Sequence, residues 1–135
     1  MALVAWSDKL SVGVKSIDEQ HTILFNTIND LHAAMMKGQS KAVVGDLLRT
    51  LLSYTRFHFD AEEAMMAKAN YPSLPTHRIK HRELTKQVES FVARYEKGDI
   101  TVSNHLLSFL SDWLTNHIQG ADKEYGPFMN EHGVR

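Results

Sequence analysis

The chain has 135 residues, 43% of them hydrophobic and 23% charged, with a formal net charge of −1 at pH 7. That length and balance fit one ordinary globular domain, and the near-neutral charge argues against nucleic acid, which wants a basic face. There is no cysteine, so disulfides, iron–sulfur clusters and thiolate zinc sites are excluded.

The opening stretch from Met1 to Lys9 turns polar too soon for a secretory signal. No apolar run reaches the ~18 residues that a membrane span needs, so the expectation is a cytoplasmic protein with no membrane insertion. Residues 1–16 read as an irregular arm, with Ser11-Val12-Gly13-Val14 as a short extended piece and Trp6 as its anchor on the body. Ser16 followed three residues later by Glu19 fits a capping box. A first helix should therefore start at Ser16 and run to about Lys37, with Gly38 as its stop. Its apolar seam is Ile17, Leu24, Ile28, Leu31 and Met35, and His21 fills the one gap in that series.

A second helix should run from about Ser40 to about Ala67 on the seam Val44, Leu47, Leu51 and Tyr54, whose next member is His58. The prolines of Asn70-Tyr71-Pro72-Ser73-Leu74-Pro75 break the pattern. A third helix follows from about Pro75 to Lys97, stopped by Gly98, on the seam His77, His81, Leu84, Val88, Phe91 and Tyr95. A fourth starts near Thr101 on Leu106, Leu110, Trp113 and His117, and Gly126-Pro127 limits any helix in the tail to a short one. These near-heptad seams, with no strand pattern, predict an all-α fold: an antiparallel up-down-up-down four-helix bundle with short connections. The division expected is a single domain over 1–135, with the arm at 1–16, the bundle at about 17–120 and the tail at 121–135.

The count that stands out is eight histidines, the commonest metal ligand. In Phe57-His58-Phe59-Asp60-Ala61-Glu62-Glu63, His58 and Glu62 stand one helical turn apart on one face, whereas Glu63 is rotated off it. His77 and His81 repeat the spacing. His21, His77 and His81 lie near helix starts, and His58 and His117 near helix ends. In an up-down-up-down bundle these all fall at one end, within ~10 Å of one level. A lone histidine on an apolar seam is more often a hydrogen-bonded core residue. Five buried together without acceptors would be costly to desolvate, and a metal offsets that cost. His32, His105 and His132 sit elsewhere and are read as non-ligands.

That histidine set is too large for one catalytic zinc, and neither His-Glu-x-x-His nor Glu-x-x-His is present. Histidine with a few carboxylates suits iron, copper or zinc, with iron favoured if oxygen is bound. The carboxylate candidates are Glu62 and one more near the end of the fourth helix. Asp122 follows His117 by five residues, a spacing that splays the two apart by about 140° on an ideal helix, unless the helix loosens at Gly120. Asp112 is off the seam, and Asp18, three residues before His21, stays open as a competitor.

Together, Val12-Gly13-Val14, Ile17-Asp18, Gln20-His21, His58-Phe59, Glu62-Glu63, His77, His81, Trp113-Leu114, His117-Ile118, Gly120, Asp122 and Tyr125 resemble the bacteriohemerythrins of the hemerythrin family along almost the whole chain. The resemblance implies two iron ions, His77, His81 and His117 binding one and His21 and His58 the other. Glu62, Asp122 and a solvent-derived oxo or hydroxo group would bridge them, and Asp18 is then not needed. It also implies an open position on the second iron and an O2-binding role in transport, storage or delivery to an oxygen-using enzyme, not enzymatic activity. An enzyme acting on peroxide or nitric oxide, or an oxygen or redox sensor, is the alternative. Leu24, Phe59, Trp113, Leu114 and Ile118, each within a turn of a ligand histidine, are the expected apolar lining of the oxygen pocket.

Overall fold

In the computed structural model, which describes residues 6–98 and 104–135, the apolar seams fold into helices α1 (Lys15–Met36), α2 (Lys41–Lys68), α3 (Leu74–Glu96) and α4 (Asn104–His117). A five-residue π turn (Ile118–Asp122) and a short α5 (Lys123–Glu131) continue the last helix. The first three helices start and stop within one residue of the boundaries expected from sequence. The expected start of the fourth near Thr101 lies outside the described residues. α1 packs against α2 and α4, and α2 against α3, which makes the predicted all-α four-helix bundle. No strand occurs among the described residues.

The expected stops are present: Gly38 and Gly98 follow α1 and α3 with φ of 66° and 81°, the left-handed conformation that ends a helix at low cost. Ser40 caps α2 by accepting from the Val43 N–H, and Pro75 sits in the first turn of α3.

The expected Ser16–Glu19 capping box is not formed. The residue at the N-cap is Val14, which makes no side-chain cap bond, and Ser16 already lies inside the first turn. Burial of Val12 and Val14 (5% and 1% exposed) sets the angle at which the arm enters. That angle carries the Val12 N–H over Asp18, whose carboxylate accepts it at 2.9 Å and the Ser11 hydroxyl at 2.6 Å. Asp18 therefore fastens the arm to α1, which accounts for it without a metal.

The arm contains a 3-10 turn at Asp8–Leu10 and is pressed onto α5. A Cβ at Gly126 would stand 2.1 Å from the Val12 carbonyl oxygen, so only glycine allows that approach. Trp6 anchors the arm as expected, its ring centroid 6.5 Å from His21 and 6.1 Å from Phe25.

The seams also drift from the sequence reading. In α2 the buried positions include Val44, Leu48, Leu51, Thr55, His58 and Glu62, while Leu47 and Tyr54 are half-buried. In α3, Val88, Val92 and Tyr95 are buried and Leu84 and Phe91 only half so. A straight helix turns once per ~3.6 residues, so a strict 3.5 series slides off the buried face.

Candidate metal centre

The five core histidines do meet. His21 on α1, His58 on α2, His77 and His81 on α3 and His117 at the end of α4 are all buried, together with Glu62 and Asp122. The donor atoms of His77, His81, His117 and Asp122 lie within 4.8 Å of one another, as do those of His21, His58, Glu62 and Asp122.

The two carboxylates stand between the histidine sets. Asp122 Oδ1 faces His77 Nε2 at 3.0 Å and His117 Nε2 at 3.1 Å, while its Oδ2 faces His21 Nε2 at 3.0 Å. Glu62 Oε1 contacts His58 Nε2 and lies 3.9 Å from His21 Nε2, and its Oε2 lies 3.9 Å from His77 Nε2. Each carboxylate thus offers one oxygen to each set.

Two acids buried side by side make a field that demands positive charge. Burial and Asp122 push the Glu62 carboxyl up, but His58 and His21 prevail and hold it down at about 2. Asp122 is lowered well below the usual aspartate range: burial opposes, and His117, His21 and His77 prevail. His21, whose burial favours the neutral ring, is raised to about 9 by Asp122 and Glu62. His81 goes the other way, down to about 4, chiefly through burial and the neighbouring His117 and His77.

Several of these atoms face one another without making a hydrogen bond. His21 Nδ1 and Nε2, His58 Nε2, His81 Nε2, His117 Nε2, both Glu62 oxygens and Asp122 Oδ2 are buried without a hydrogen bond. Orphaned polar atoms in a core are costly. Imidazole and carboxylate lone pairs converging on two points are what divalent cations satisfy, so the residues present fit a pair of metal ions.

Two of the outer nitrogens are engaged. The His58 Nδ1–H donates to Gln20 Oε1 at 2.6 Å, and the His81 Nδ1–H donates to Glu63 Oε2 at 2.8 Å. Such bonds fix the tautomer and aim the other nitrogen inward. Glu63 leaves the His58 face of α2, and that rotation is what turns it toward His81 on α3. Neither outer partner is detectable from spacing, since each serves a histidine on a different helix.

Of the expected lining, Leu24, Phe59, Leu114 and Ile118 are buried and Trp113 is half-buried. Phe59 stacks on His81 with centroids 3.9 Å apart and planes 4° apart, and lies 5.8 Å from His58 and 5.7 Å from His117. Trp113 lies parallel to His117 at 6.4 Å. His32 is half-buried and His132 is exposed, and neither joins the clusters. The side chain of His105 lies outside the described residues.

The sequence profile of the hemerythrin HHE cation binding domain matches residues 12–129. The chain belongs to the hemerythrin family. Among its hemerythrin relatives, a bacteriohemerythrin of Stenotrophomonas maltophilia is 36% identical over 98% of this chain and 85% of its own length. One from Methylococcus capsulatus is 31% identical over 96% and 99%. A crystal structure of wild-type hemerythrin superposes with a TM-score of 0.90 at 31% identity, covering 95% of this chain and 98% of the other. The hemerythrin cofactor is a non-haem pair of irons, and this chain carries histidine, glutamate and aspartate clusters able to bind metal. No helix among the described residues is long and apolar enough to cross a membrane.

Proposed function

We propose that this cytoplasmic hemerythrin-family chain binds O2 reversibly, for transport, storage or delivery to an oxygen-consuming enzyme, and is not itself an enzyme. In this reading His77, His81 and His117 hold one iron, His21 and His58 hold the other, and Glu62 and Asp122 span both. The carrying observation is the split of the two carboxylates: each presents one oxygen to a three-histidine set and one to a two-histidine set. The smaller set would leave an iron there with one protein ligand fewer, and so room for a small ligand.

When bound, the irons supply two electrons and that open position to O2. The chain supplies the rest. Glu62 and Asp122 stay ionised and would balance half of the charge of two ferrous ions. Phe59, packed on the rings of His58, His81 and His117, keeps water from their inner nitrogens. The buried Thr27 and Thr55 hydroxyls donate to carbonyls of their own helices. The Tyr125 phenol, raised well above its usual range by burial and by Glu62 and Asp122, keeps its proton. These features favour holding O2 over turning it over.

The test is the optical spectrum of reduced, iron-loaded protein under inert gas, after O2, and after renewed sparging. Reversible binding gives a near-ultraviolet to visible charge-transfer band that appears and then vanishes. A band that decays irreversibly favours turnover or sensing, and no band at full iron occupancy overturns the open position.

A further inference from the structure

The two histidine sets are held from outside by partners of different charge. His58 gives its Nδ1–H to the neutral amide of Gln20. His81 gives its Nδ1–H to a carboxylate, and the other oxygen of Glu63 accepts the Arg78 Nε–H at 3.2 Å. Glu63 stands in a groove of about 480 Å³ between α2 and α3, whose inner wall is Phe59 and His81. Its side chain is 22% exposed and that of Arg78 44%, so a solvated ion pair fixes the carboxylate against the imidazole.

A hydrogen bond to an anion is stronger than one to a neutral acceptor, and its charge raises the basicity of the imidazole that donates it. A more basic imidazole stabilises the higher oxidation state of its metal. We infer that Glu63 is a positioning residue that makes the two iron positions unequal. Through His81 it lowers the reduction potential of the iron held by three histidines below that of the iron held by His21 and His58. This rests on the ligand assignment proposed above and adds to it which iron is more readily oxidised, and by which residue. Gln20 is the matching device on the other side: a neutral acceptor leaves the ligand-binding position with the higher potential.

The experiment compares iron-loaded wild type, Glu63→Gln, Gln20→Glu and the groove control Glu89→Gln, whose carboxylate pairs with Arg56 and not with a histidine. Iron per chain is counted first, and the two one-electron midpoint potentials are then measured at one pH. Glu63→Gln keeps an acceptor oxygen facing His81 and removes the charge. It should retain two irons and raise the lower potential by a tenfold change in the equilibrium, about 59 mV. Gln20→Glu should lower the upper potential and bring the two together, and Glu89→Gln should match wild type. Unchanged potentials in a Glu63→Gln protein holding two irons overturn the inference alone. Loss of iron from that variant overturns it too, because an amide should hold His81 as it holds His58. A wild type that fails to take two irons overturns the ligand assignment, and the inference with it.

Discussion

Asp122 Oδ1 lies 3.1 Å from His117 Nε2 although it stands five positions further along the chain. On an α-helix that interval turns the two side chains about 140° apart. The chain widens instead into the π turn Ile118–Asp122, whose i→i+5 bonding returns the fifth residue to the face of the first. The helix loosens around Gly120, as expected, but does not end there. It continues into α5.

Removing Gly120 should therefore leave the metal centre intact. Asp122 would then follow His117 by four residues, the α-helical interval for one face. Inserting one alanine after Gly120 makes the interval six, and Asp122 leaves both histidine sets. The expectation is two irons per chain in the deletion and a loss of iron in the insertion, measured by colorimetric iron against protein. Iron lost from the deletion, or kept in the insertion, would sink this account.

The metal-free protein should be most stable near pH 6.5. His21 is raised to about 9 and His117 is raised too. Their contribution is complete below the unfolded value of ~6.5 and is lost as pH rises through the folded values. His81 is lowered to about 4, so the unfolded chain takes up that proton first and stability falls as pH drops from ~6.5 toward 4. Glu62, held at about 2, extends the loss below ~4.5. Thermal midpoints of metal-free protein across this range should rise and then fall. A flat alkaline limb from 6.5 to 9 would contradict the raised His21.

Gly126→Ala should cost ~1–3 kcal/mol, the range for overpacking, since its Cβ would stand 2.1 Å from the Val12 carbonyl oxygen. The arm would lift from α5, weakening the Asn130 Nδ2–H bond to the Gly13 carbonyl at 2.9 Å. Urea denaturation gives the stability, and protease sensitivity near Val12 reports the arm. A variant as stable and as protected as wild type would show that the close approach is not needed.

Leu114 is 1% exposed and sits three residues before His117, beside Trp113. Leu114→Ala should cost ~2–5 kcal/mol through the cavity it leaves. If O2 binds as proposed, the same cavity admits water to the pocket and speeds autoxidation several-fold. The rate of loss of the oxygenated absorption band decides. An unchanged rate, with the stability loss present, would make Leu114 plain core.

Sequence alone determined the bundle and the meeting of the histidines. Both follow from periodicity: His21, His58, His77, His81 and His117 continue apolar seams, and the up-down order of four helices puts all of them at one end. The helix ends were equally legible at Gly38, Ser40 and Gly98, because glycine and serine act there through local backbone geometry. Tertiary structure decided what depends on angle and on neighbours from other helices. Leu48 and Thr55 sit fully in the core while Leu47 and Tyr54 pack at its edge, because a real helix turns once per ~3.6 residues and not per 3.5. Asp18 turned from a competing ligand into the tie for the arm once Val12 was buried above it. Asp122 needed the π turn, which leaves no local mark beyond Gly120. Gln20 and Glu63 each serve a histidine on another helix, and that pairing exists only after packing, when rotation off one helix face becomes approach to the next.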